Sequence, residues 1–360
     1  MSRGRVATAA RVPGVVASIA DRVEARVDAL LEQEQARWAT VDAALVAPIE
    51  ALRTFVTGGG KRLRPAFCHC AFVGAGGDPD DPIVVDAAAA LELVHTFALI
   101  HDDVMDGSDM RRGADAIHRQ FVREHVNARW RGESRRFGEG MAILIGDFAF
   151  VYADLLMRHA PTDAVAIYDE LRIELCVGQS LDLVGTARAT ADPVAARRIA
   201  TYKSGKYTVE RPLHLGAALA GRLGDFERPL SDIGLPLGEA FQLRDDVLGV
   251  FGDQTLTGKP VGDDLREGKL TPLVAIATER VGDDAHDAEL LARLGAPDLD
   301  PLEVRALQEL FDRSGALSDV ERNIERLVAQ SRAALAQVEL AGDARARLED
   351  LAAYVAWRDR

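Results

Sequence analysis

Leu91-Glu92-Leu93-Val94-His95-Thr96-Phe97-Ala98-Leu99-Ile100-His101-Asp102-Asp103-Val104-Met105-Asp106-Gly107-Ser108-Asp109 completes a very apolar segment that begins at Ala87. The segment reads as a helix. At about 100° per residue, Asp106 lies about 40° from Asp102 and Asp109 about −20° from it, so three carboxylates share one stripe if the helix survives Gly107. Like charges at this spacing repel. A hard cation with oxygen ligands, such as Mg²⁺, supplies the compensating charge. The plainer reading is a solvated acidic helix end. The apolar run leading into the acids favours a metal site.

Outward from this stretch the pattern stays helical. Ala, Leu, Glu and Arg dominate, and β-branched alternation is scarce. Amphipathic periodicity predicts helices over residues 14–34, 40–57, 65–74, 82–106, 140–158, 162–186, 193–220, 229–252, 270–280, 302–313, 318–340 and 344–357. Breakers separate them, among them Gly58-Gly59-Gly60, Gly76-Gly77-Asp78-Pro79, Asp192-Pro193 and Thr257-Gly258-Lys259-Pro260. The polar stretch from Asn127 to Gly140 reads as a surface excursion between two helices. The fold expected is all-α: a single-domain helical bundle, residues 41–360, preceded by an N-terminal helical extension, residues 1–40.

The chain has 360 residues, with 43 Lys plus Arg against 57 Asp plus Glu, a net charge of −14. So acidic a chain argues against general nucleic-acid binding, which needs a basic face against phosphates. A small basic pocket for a phosphorylated ligand remains compatible. Three cysteines, Cys68, Cys70 and Cys176, exclude a disulfide scaffold and fit a reducing compartment. Cys68-His69-Cys70 reads as core packing, since residues two apart on a helix do not share a face. No apolar run approaches the ~20 residues of a membrane span. The opening from Met1 to Ala20 carries Arg3, Arg5 and Arg11 and no acid, as an organelle transit peptide does. A frayed start to the first helix is the preferred reading.

A second acidic cluster, Phe241-Gln242-Leu243-Arg244-Asp245-Asp246, again follows an apolar helical stretch. Two such clusters can hold metal ions from opposite walls of a cleft and clamp a diphosphate between them. Gly58-Gly59-Gly60-Lys61-Arg62-Leu63-Arg64-Pro65 is a glycine-rich loop running into a helix N-terminus with three basic residues, a ready anion site. Further cations follow in Arg111-Arg112-Gly113, Lys203-Ser204-Gly205-Lys206, Gly258-Lys259-Pro260 and Gly268-Lys269-Leu270-Thr271. As a set they suit a substrate with two or more phosphates.

With these motifs in this order, the sequence resembles the trans-isoprenyl diphosphate synthases, also called polyprenyl synthetases. The likeness runs from about Gly58 to Thr271 and includes Gly178-Gln179-Ser180-Leu181-Asp182. It implies an all-α bundle around a deep central cavity, usually a homodimer. It implies that Asp102, Asp106 and Asp245, with Asp182 at the rim, ligate Mg²⁺, three ions in all. Asp103 and Asp246 are auxiliary carboxylates in this picture. Arg111, Lys203 and Lys259 would bind an allylic diphosphate (dimethylallyl, geranyl or farnesyl), and Lys269 is a further substrate-binding cation. Lys61, Arg64, His95 and Arg112 would hold isopentenyl diphosphate, and Gln179, Ser204 and Gln242 complete the polar rim. Phe97, five residues before Asp102, and Ala98 beside it are the expected determinants of product length, with C20 favoured over C15 or longer chains. A bacterial cytoplasmic enzyme is the expectation.

Two departures from the family pattern stand out. Gly249 occupies a position where many relatives have a third Asp, and Ser204 stands where Thr is usual. A class I terpene cyclase would have no use for Lys61, Arg64, His95 and Arg112, and its Asn/Asp-x-x-x-Ser/Thr-x-x-x-Glu motif is not found in the corresponding helix. A non-catalytic partner subunit tends to lose the acidic motifs, and the first is intact. A simple divalent-cation binder has no need of the Lys and Arg set.

Overall fold

The computed structural model describes residues 12–188, 193–252, 262–269, 271–282, 284–296 and 298–357. In chain order its helices are α1 (Gly14–Ala39), α2 (Val46–Thr57), α3 (Leu63–Gly74), α4 (Pro82–Asp106), α5 (Ile117–Asn127), α6 (Ser134–Met157), α7 (Thr162–Arg188) and α8 (Pro193–Ile199). A π-helical segment, Ala200–Glu210, leads into α9 (Arg211–Leu219) and α10 (Leu223–Phe251). Then come α11 (Asp263–Arg266), α12 (Pro272–Val281), α13 (Ala285–Leu291), α14 (Pro301–Arg313), α15 (Ala316–Leu335) and α16 (Ala344–Trp357). A two-stranded hairpin, β1 (Met110–Arg111) with β2 (Ala114–Asp115), is the sheet present among the described residues.

Two long helices organise the bundle. α4 packs against α6, α3 and α1, and α10 against the π-helical segment, α15 and α9. α4 starts cleanly because the Asp81 carboxylate accepts the Ile83 N–H and Pro82 needs no partner for its nitrogen. Its buried run Ala87–Ala90 is small enough for neighbouring helices to approach closely. One continuous apolar core joins Leu31 of α1, Phe67 of α3, Leu91 of α4, Ile145 of α6, Leu237 of α10, Phe311 of α14 and Leu351 of α16.

The predicted bounds hold for α4 and α16, and differ elsewhere for identifiable reasons. α5 occupies a stretch with no predicted helix, and α6 begins at Ser134, so the expected excursion shrinks to residues 128–133. The ring of Trp130 packs edge-on against Phe137 at 5.2 Å and His125 at 6.0 Å, tying that loop down. The predicted 193–220 helix is interrupted by the π-helical segment. α10 starts before Pro229 and absorbs both it and Pro236. Cys68, His69 and Cys70 are buried in α3, and burial pushes the Cys70 thiol up to about 12. The membrane reading needs correcting: α4 and α6 are each long and apolar enough, by length and composition, to cross a membrane. In α4 most of the apolar stretch is buried inside the bundle.

Candidate active site

The C-terminal parts of α4 and α10 open on one cavity of about 870 Å³. Its lining brings together Lys61, Arg64, His95, Asp102, Arg111, Arg112, Asp182, Lys203, Ser204, Gln242, Asp245, Asp246 and Lys269. Leu63, Leu99, Ile199, Phe241 and Leu248 supply apolar wall, and Val16 and Tyr354 reach it from near the two ends of the chain.

At the end of α4, Gly107 takes φ 68° and terminates the helix. The stripe therefore keeps Asp102 and Asp106 but loses Asp109, which turns outward to Arg119 at 3.0 Å. The hairpin then folds Arg111 back onto Asp103, whose Oδ1 accepts from Nε at 2.8 Å, and leaves it 3.5 Å from Asp102. Asp103 is buried by this clamp, so it positions Arg111 rather than facing the cavity. Burial works against charge on Arg111, but Asp103 outweighs it and raises the pKa. Arg112, at φ 52°, points the opposite way, donating to the Gly59 carbonyl and lying 5.7 Å from the Phe55 ring. One left-handed residue thus sends two adjacent guanidinium groups to two places.

The glycine-rich loop separates its three basic residues. Arg62 is buried, in the left-handed region at φ 43°, and donates to Glu92 at 2.5 Å and Glu24 at 3.0 Å. It anchors the loop and is not available to an anion. Lys61 reaches Asp245 at 3.5 Å. Arg64 lies 4.2 Å over the Tyr207 ring and donates to Thr208 Oγ1 at 2.8 Å. His95 is held neutral by burial and by the positive field of Arg64 and Arg112, which together lower its pKa well below the ordinary value. Its Nδ1 is buried without a hydrogen-bond partner among the described residues.

Opposite, the π-helical segment carries Lys203 and Ser204. A Cβ at Gly178 of α7 would come within 2.5 Å of Lys203 Cα, so the glycine allows the two backbones to touch. Lys203 Nζ donates to Asp102 at 3.0 Å and to Asp182 at 2.5 Å, and Gln179 Nε2 donates to Asp102 at 3.0 Å. Gln242 donates to Asp246 at 2.7 Å. Lys269 contacts Glu267 at 2.5 Å and Asp264 at 3.3 Å. Burial, then the neighbouring Asp102 charge, pushes Asp106 up to about 6, and burial pushes Asp246 up to about 8.

Lys259 lies outside the described residues. Phe97 and Ala98 are not brought to this cavity. The Phe97 ring packs on His101 at 4.6 Å and Phe150 at 4.7 Å, between α4 and α6, and it is Leu99 that lines the wall. Sequence reasoning overlooked Asp264, Glu267, Tyr207 and Thr208. For the first two the signal lies in Gly262-Asp263-Asp264-Leu265-Arg266-Glu267-Gly268-Lys269, whose flanking lysines draw the reading while its acids are given no role.

An all-α bundle whose two acidic helix ends share a cavity with a basic, glycine-rich loop is built to handle diphosphates. The chain belongs to the polyprenyl synthetase family, whose model matches residues 48–310, and is thereby a prenyltransferase. It is 35% identical to the short chain isoprenyl diphosphate synthase of Methanothermobacter thermautotrophicus, over 74% of this chain and 77% of that one. It is 33% identical to the (2E,6E)-farnesyl diphosphate synthase of Mycobacterium bovis, over 82% and 79%. Its structure superposes at a TM-score of 0.90 on a geranylgeranyl pyrophosphate synthase from Corynebacterium glutamicum complexed with isoprenyl diphosphate and magnesium. That pair is 34% identical and covers 97% of this chain and 99% of the other.

Proposed function

We propose that this prenyltransferase condenses isopentenyl diphosphate head-to-tail with allylic diphosphates, in a Mg²⁺-dependent reaction, to give a trans-polyprenyl diphosphate. The observation that carries this reading is the meeting of Asp102, Asp245, Lys203 and the Lys61–Arg64 loop around one cavity.

The donor set fits Mg²⁺. It consists of carboxylate oxygens, the ligands that hard dications take. Asp102 and Asp182 already share the ammonium of Lys203, so positive charge is in demand there. Asp102, Asp106 and Asp245 would hold the ions, three by resemblance, with Asp182 at the edge. The bound ions supply charge that stabilises a departing diphosphate. Arg111 and Lys203, with Lys269, bind the allylic diphosphate oxygens and hold the C–O bond against the acidic wall. Lys61, Arg64 and Arg112 hold isopentenyl diphosphate beside it, with His95 offering a neutral ring nitrogen. Leu63, Leu99 and Phe241 keep water from the allylic cation that forms when the C–O bond breaks. The double bond of isopentenyl diphosphate attacks that cation, and a proton passes to the released diphosphate. Asp103 and Asp246 orient Arg111 and Gln242.

We favour a C20 product, ahead of C15 or a longer chain, on the likeness to the Corynebacterium glutamicum enzyme and not on Phe97. A homodimer accompanies this reading. Ile143, Leu144 and Val151 of α6 and Ile173 and Val177 of α7 are exposed apolar residues of the kind a second copy would cover. Residues 41–360 form the main unit, with 1–40 as an extension that joins its core through Leu31 and reaches the cavity through Val16, and the three free thiols suit the cytoplasm. Incubation with isopentenyl diphosphate, dimethylallyl diphosphate and Mg²⁺, then dephosphorylation and chromatography, tests the reading. A C20 alcohol is expected. No chain growth from any allylic starter would overturn it.

A further inference from the structure

α7 meets the π-helical segment along one stripe. Glu174, Gly178 and Asp182 recur at i, i+4 spacing and so stand on successive turns of one face. Asp182 accepts from Lys203 Nζ, and Gly178 lets the Lys203 backbone close on α7. Glu174 is buried and holds two cations. Its carboxylate accepts from Lys206 Nζ, from Arg211 Nε at 2.6 Å and from Arg211 Nη2 at 2.8 Å. Burial works against its charge, but Arg211 and Lys206 outweigh burial and hold the pKa below the ordinary value.

Lys206 and Arg211 are five residues apart. On an α-helix, at about 100° per residue, they would point about 140° apart, toward different faces. Here the Arg211 N–H donates to the Lys206 carbonyl, the i→i+5 bond of a π turn, which stacks the two residues on one face. α7 packs against both the segment and α9, so these contacts span the join between them. One carboxylate shared by 206 and 211 therefore matches the wide winding and not the α winding.

We propose that Glu174 is a positioning residue for Lys203. By gathering Lys206 and Arg211 onto one carboxylate it fixes the π turn, and the turn aims Lys203 at Asp102 and Asp182. The kinetic consequence rests on the proposed function, in which Lys203 binds the allylic diphosphate.

Glu174→Gln tests this, because it keeps the shape and removes the charge that gathers the cations. KM for the allylic diphosphate should rise about ten-fold or more, while KM for isopentenyl diphosphate stays within about two-fold, since Lys61, Arg64 and Arg112 sit on other elements. A crystal structure of the variant should show i→i+4 bonds in place of the Arg211 to Lys206 bond, with Lys203 Nζ withdrawn from Asp182. If Glu174→Gln does not fold, Glu174→Leu/Lys206→Met/Arg211→Met takes its place, since a buried ion cluster exchanged for apolar groups of similar volume is tolerated. Equal changes in the two KM values, or a π turn and a Lys203 that stay where they are, overturn the inference and leave the proposed function standing. A wild-type protein with no chain growth from any allylic starter overturns the proposed function, and the variant's crystal structure then decides the inference by itself.

Discussion

Asp102 and Asp106 stand one turn apart on α4 yet differ in how readily they take up a proton. Burial alone would raise Asp102, but Lys203, Lys269 and Arg111 hold it below the usual carboxylate range, whereas Asp106 rises to about 6. Asp246 goes further, to about 8 from an ordinary 3.8. The folded protein therefore retains a proton there that the unfolded chain has lost, and stability falls as pH rises between the two values. Asn at 246 removes that dependence. In the absence of divalent ions, the melting temperature of Asp246→Asn relative to wild type should rise between about pH 5 and pH 8. A difference that stays flat would mean the carboxyl is not desolvated as described. On the substrate side, Lys61→Ala or Arg64→Ala loses a charge-assisted contact of about 1.5–3 kcal/mol. KM for isopentenyl diphosphate should rise ten-fold or more by the usual conversion, and a change confined to the allylic KM would exchange the two sites. At this scale the residue types were legible and their partners were not. Arg62 has the same composition signal as Lys61 and Arg64, but burial against Glu92 takes it out of the anion site. Nothing in its local sequence announces a partner thirty positions away.

Among the elements, the π-helical segment decides most about the site. Gly205 and Gly238 approach closely enough that a Cβ on Gly205 would sit 3.1 Å from the Gly238 carbonyl carbon. With Gly178 on the other side, α7, the segment and α10 are in backbone contact, which aims Lys203 at Asp102 and Asp182. Gly178→Ala should cost about 1–3 kcal/mol of stability by overpacking and lower kcat more than it raises KM. Thermal denaturation and steady-state kinetics on one preparation check both, and normal values for both would remove Gly178 from the positioning of Lys203. The helix periodicity of residues 193–220 concealed this segment, because a π turn uses the same residue types as an α turn. α4, by contrast, was legible to the residue: Asp81-Pro82 at its start and Gly107 at its end are strong local signals. α5 was overlooked because its stretch is polar on average and buries only two apolar residues, Ile117 and Phe121, on one narrow face.

For the molecule as a whole, the exposed apolar residues of α6 and α7 are where the proposed homodimer is tested. Ile173→Asp, at a residue 58% exposed, should leave the fold intact and halve the mass seen by light scattering. An unchanged mass would place the interface elsewhere. The paired lysines of the cavity have a consequence for how it fills. Lys203 and Lys269 act as tenants among the carboxylates, neutralising them while the cleft is at rest. A dication arriving alone must evict an ammonium that has no new anion to go to. A dication arriving with a diphosphate offers the evicted lysine a phosphate oxygen. On the proposed function, the cleft then takes up a dication more readily together with a diphosphate than alone.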